Sequence, residues 1–164
     1  MCVYEMGNLR VIDLTKELHP ETESRRCHLF RFNTGGPIPD YHTIMDLTSH
    51  LGTHCECPYH HDDTWPSVAE LPITNFLGRA VYLNFGETVA KRGQITAEDL
   101  ERVSAGRVKE GDVVIIDSAY QIEPFTPATN TDADQRLRVG EESARWFREK
   151  KVKSVGFGDG DSVE

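Results

Sequence analysis

A chain of 164 residues with a net charge of −9, 38% hydrophobic and 27% charged, is long and apolar enough to be read as one soluble globular domain over 1–164. The acidic balance argues against a nucleic-acid partner, because no basic face would offset phosphate repulsion. No apolar run approaches the roughly 20 residues of a membrane span, and the first residues lack a signal-peptide core. The four cysteines, at positions 2, 27, 55 and 57, form no spaced disulfide framework, so a reduced, cytoplasmic setting is expected.

Residues 9–14 (L-R-V-I-D-L) predict a first strand, and a polar segment follows through Arg26. His19 and His28 read as exposed or locally bonded polar residues. Residues 29–34 (L-F-R-F-N-T) alternate as a second strand, and G-G-P-I-P at 35–39 is a loop. A third strand is predicted over 43–49 (T-I-M-D-L-T-S), delivering the residues that follow it. His42 just before it is a weak candidate to support them.

Residues 50–61 read H-L-G-T-H-C-E-C-P-Y-H-H and hold four of the seven histidines. His50, His54, Glu56 and His60 are all even-numbered, so an extended segment would project them from one side, with Gly52 leaving a gap between the first two. Imidazoles and a carboxylate converging on a gap suit a divalent metal. The same parity sends Thr53, Cys55, Cys57 and Tyr59 to the opposite face. A helical reading of His50 and His54 is opposed by Gly52, Thr53 and Pro58 and by the lack of a glutamate after the first histidine. Cys55 and Cys57, spaced C-x-C with no second pair nearby, read as small buried hydrophobes and not as a thiolate site.

The pattern H-x-G-T-H-x-[D/E]-x-P-x-H resembles the signature of the cyclase-like metal-dependent hydrolases, a family that includes bacterial kynurenine formamidases, isatin hydrolases and trans-dienelactone hydrolases. The resemblance implies that His50, His54 and Glu56 bind metal and that His60 gives and takes protons. The family's usual carboxylate is aspartate, and Glu56 is one methylene longer. Asp13, Leu14 and Thr15 are similar to the family's D-L-[S/T] opening, but H-P-E-T-E-S-R-R-C-H at 19–28 lacks its aromatic continuation, so no substrate-binding residue is carried over from there.

Beyond His61, Asp62 and Asp63 could back the imidazoles but read first as a solvated turn, and Trp65 either walls a pocket or pins its loop. The L-P at 71–72 and the strand at 80–85 again resemble the family. Residues 95–104 predict a short helix capped by Thr96. V-V-I-I-D at 113–117 predicts a central strand, with Asp117 at its carboxyl end as an open site candidate. A polar loop is predicted over 121–139, a helix over 141–151 with Ala144 and Phe147 inward and Trp146 flanking, and a strand over 152–157. The glycine-rich end precedes no helix, so a nucleotide fingerprint is unsupported. It resembles instead the family's G-I-D-x-x-S-[I/V]-D loop, with Ser162 and Glu164 at or near the matching positions. Family members continue past that loop with a further histidine and acidic residue.

The resemblance implies an α/β fold, a swivelling β/β/α domain with a mostly β core and helices packed on one side, and a homodimer or homotetramer. The expected function is hydrolysis of an amide, formamide or lactone carbonyl in a small-molecule substrate. Zn²⁺ is the expected metal and Mn²⁺ the alternative, with metal-activated water as nucleophile and His60 as proton carrier. A non-catalytic metal-binding protein is the competing reading.

Overall fold

The computed structural model describes residues 2–86, 88–118 and 136–158, and the backbone of 161–163. The chain is mixed α/β and divides into two compact units, Met1–Val68 and Ala69–Glu164.

The first unit is built from two antiparallel ribbons. β1 (Cys2–Met6) pairs with β2 (Leu9–Asp13) across a two-residue turn, where Gly7 adopts φ +64°. β3 (Cys27–Asn33) pairs with β4 (Tyr41–Leu47), from Cys27 opposite Leu47 to Asn33 opposite Tyr41. The guanidinium of Arg26 grips Asp46 at 2.6 Å where that ribbon ends. Cys27 and Leu51 are the buried apolar residues described in this unit, whereas Phe30, Ile44 and Met45 stand exposed on the ribbon.

The strand predicted through Ser49 stops at Leu47. Its partner strand begins at Cys27, and the backbone N–H of Thr48 makes one last bond, to the Arg26 carbonyl at 3.1 Å. Beyond that point no ladder holds the chain extended, and residues 49–53 bend. The chain then runs through 54–57 without regular structure and winds into a single 3₁₀ turn, Pro58–His60, with proline at its start.

In the second unit, β5 (Ala80–Asn84), β7 (Val113–Asp117) and β9 (Ser154–Phe157) form a parallel sheet with β7 in the middle, the place expected for its β-branched run. β6 (Gln94–Ile95), β8 (Leu137–Val139) and β10 (Asp161–Val163) form a second parallel sheet with β8 central. Val81, Leu83, Val114 and Ile116 alternate inward and meet Leu100 of α1 (Ala97–Ser104) and Trp146 and Phe147 of α2 (Glu141–Glu149) in one core.

Two expectations are corrected in this unit. Residues 137–139 are strand and not loop; of the segment expected to be loop, 121–135 lie outside the described residues. Helix α2 buries Ser143, Trp146 and Phe147, and leaves Ala144 exposed. Ser143 can face the core because its hydroxyl donates to the Ile95 carbonyl at 2.5 Å, so no polar group is stranded. Trp146 follows the same rule, its indole N–H reaching Glu101 at 2.9 Å. No helix among the described residues is long and apolar enough to cross a membrane.

Candidate metal centre

The donors predicted to share a strand face are brought together by other means. His50 lies in the bend, His54 and Glu56 on the irregular stretch, and His60 at the end of the 3₁₀ turn. The alternation argument survives only between His54 and Glu56, where Nε2 lies 3.4 Å from Oε1. Gly52, with φ +58°, folds the chain back so that His50 Nδ1 reaches the same Oε1 at 2.5 Å. The turn from Pro58 carries His60 over His50, their ring centroids 4.5 Å apart and their planes at 72°.

The result is a surface cluster. His50 is about one-third exposed (31%) and the Glu56 side chain 44% exposed, and His60 is open to solvent. Ligand atoms from His50, Glu56 and His60 all lie within 4.8 Å of one another. His54 joins through Glu56 and is oriented from behind, with Nδ1 2.9 Å from the Gly52 carbonyl oxygen. That carbonyl can only accept, so Nδ1 is the donor there and Nε2 is the ring nitrogen turned toward the carboxylate.

Chemically the set fits a first-row divalent ion. Nitrogen ligands sit at about 2.0–2.1 Å and carboxylate oxygens at about 2.0–2.2 Å from zinc, which puts neighbouring ligand atoms of a tetrahedron about 3.3 Å apart. The His54–Glu56 separation of 3.4 Å already matches that edge. The His50–Glu56 contact of 2.5 Å is shorter than that edge and would open by a fraction of an ångström around an ion.

The other candidates take different roles. Cys55 is exposed and Cys57 partly so, which corrects their expected burial; Cys27 is the buried thiol. Neither Cys55 nor Cys57 joins a donor group among the described residues. Asp62 bonds within its own turn, its Oδ1 accepting from the Thr64 hydroxyl at 2.6 Å and backbone N–H at 2.9 Å, and these bonds hold its carboxyl below the usual range. His42 pairs with Asp40 at 3.1 Å on the exposed ribbon. His19 approaches Glu17 at 3.7 Å, and Trp65 stands half-exposed. Asp117 accepts from the Tyr82 hydroxyl at 2.7 Å. Glu164 and the Ser162 side chain lie outside the described residues.

Two contributors carried no signal of their own in the sequence. Thr53 Oγ1 accepts from the Lys16 backbone N–H at 2.9 Å, and Leu18 packs over Gly52. The G-T pair inside the histidine stretch was the nearest hint.

Compared with known proteins, residues 12–161 match the model of a family described as putative cyclase. No curated protein matches the chain.

Proposed function

The chain belongs to the putative cyclase family, and from that premise we propose that it is a metal-dependent hydrolase acting on an amide, formamide or lactone carbonyl. His50, His54 and Glu56 would hold the ion, with Zn²⁺ favoured by the nitrogen-rich donor set and Mn²⁺ the alternative. The observation that carries this reading is the meeting of His50 and His54 on one carboxylate oxygen of Glu56, at 2.5 and 3.4 Å. A bound divalent ion would supply Lewis acidity toward a carbonyl and lower the pKa of water toward about 7.

The remaining chemistry falls to the chain. His60 stacks edge-on to His50 and is open to solvent, so it can pass a proton between substrate and bulk water. Imidazole is the side chain most often used to give and take protons in catalysis. His61, 4.9 Å from His60 between ring centroids, extends that path outward. A second reading has support too: the grouping of His60 with His50 and Glu56 within 4.8 Å suits His60 as a ligand.

The fold proposed for the whole is the swivelling β/β/α domain, assembled as a homodimer or homotetramer. The four free thiols suit a reducing compartment such as the cytoplasm.

The test is metal analysis of the purified protein joined to hydrolysis assays on an arylformamide, an isatin and a lactone. Stoichiometric metal with turnover on any of the three supports the hydrolase. Stoichiometric metal without turnover on all three favours a non-catalytic metal protein. Absence of metal uptake removes the centre altogether.

A further inference from the structure

The bend that joins His50 to His54 is held from outside by a segment 37 residues away in sequence. The Lys16 backbone N–H donates to Thr53 Oγ1 at 2.9 Å. Two residues further on, Leu18 covers Gly52 so closely that a Cβ at position 52 would meet Leu18 Cδ2 at 2.8 Å. Residues 16–18 therefore strap the bend with one hydrogen bond and one apolar contact. Between those two attachments sits the Gly52 peptide, whose carbonyl lies 2.9 Å from His54 Nδ1.

We infer that Thr53 and Leu18 are positioning residues for the metal centre. They hold Gly52 in its left-handed conformation, φ +58°. That conformation aims the Gly52 carbonyl at His54 Nδ1 and so fixes both the tautomer and the rotation of the imidazole. Neither side chain supplies a ligand atom to the cluster. Their effect travels through one backbone carbonyl, the partner that commonly orients a ligating histidine. The inference rests on the metal reading of the site and adds to it what keeps Nε2 facing Glu56.

Cobalt(II) tests this without any substrate, because its visible absorption reports ligand geometry and chelator competition reports affinity. Thr53→Val keeps the shape and removes the acceptor, Thr53→Ser restores it, and Leu18→Ala removes the apolar contact. Loss of a group that orients a ligand typically weakens metal binding about 10–100-fold. Thr53→Val and Leu18→Ala are expected to weaken Co²⁺ binding by at least about 10-fold on that scale, with altered absorption bands. Thr53→Ser should bind and absorb as the wild type does. Circular dichroism establishes that each variant is folded. Should Thr53→Val fail to fold, Leu18→Ala, which trims a partly exposed side chain, carries the test alone. Wild-type affinity and spectrum in the folded variants would overturn the inference and leave the metal centre standing. A wild-type protein that takes up no Co²⁺ would overturn both.

Discussion

Glu56 and His50 touch at 2.5 Å, although the residues between them neither form a strand nor continue a helix. The same oxygen also faces His54. One carboxylate thus gathers two imidazoles, and its removal should undo the centre as fully as the loss of either ring.

Glu56→Gln, His50→Ala and His54→Ala are each expected to lower metal affinity by more than about 100-fold, beyond the losses typical of groups that only orient a ligand. Chelator competition on the purified variants measures it. A Glu56→Gln protein that keeps wild-type affinity would remove the carboxylate from the ligand set.

His60→Ala separates the two roles open to that residue. As a proton carrier it should keep the metal and lose about 10²–10⁴-fold in turnover, the range typical of general acid–base groups. As a ligand it should lose metal and turnover together. Metal content and kcat measured on one preparation decide between them.

Thiol labelling gives an independent check on the site's chemistry. Cys2 and Cys55 should react rapidly with iodoacetamide and Cys27 slowly, in the order of their exposure. If thiolates are not ligands, labelled protein retains its metal, as metal analysis after labelling would show. Metal released in step with Cys55 or Cys57 modification would restore the thiolate reading.

Much of this was legible in the residue pattern. The β-branched run of β7, the Thr96 cap of α1 and the ribbon strands β3 and β4 follow from local propensity, and local propensity is what a sequence displays. Of the missed elements, β1 has its partner β2 beside it in sequence, but others depend on distant partners. β6 and β8 are two and three residues long and exist because each finds a parallel neighbour. Ser143 faces inward in place of Ala144 because the Ile95 carbonyl, 48 residues away, receives its hydroxyl. For the site, the donor residues were readable and their geometry was not. Side-chain alternation presumes a ladder, and the ladder ends at Leu47 because its partner strand begins only at Cys27.

Acid should weaken the second unit through Asp112. The Lys109 backbone N–H donates to its Oδ2 at 2.7 Å, and Arg79 grips both oxygens, Nε reaching Oδ1 at 3.0 Å. The Lys109 bond first, and the Arg79 guanidinium after it, hold the carboxyl below its usual value against the opposing effect of burial. A depressed folded pKa contributes stability above the unfolded value, near 3.9, and loses it as pH falls through the folded one. The stability gap between wild type and Asp112→Asn in urea should therefore be widest near neutrality and close below about pH 4. A gap constant across that range would refute the assignment.

Two substitutions gauge that unit's core and its helix start. Leu83→Ala empties a fully buried position and should cost about 2–5 kcal/mol. Thr96→Ala breaks a reciprocal capping box with Asp99 and should cost about 1 kcal/mol. Urea unfolding measures both, and equal losses would contradict the burial difference between the sites.

The three proposed ligands and His60 sit on a single run of chain, residues 50–60. Gathering donors so near one another in sequence demands little loop-closure entropy, which grows with the length of chain to be closed. Spacing within this run is correspondingly unforgiving. One residue inserted or deleted between His50 and His60 would swing a donor out of reach.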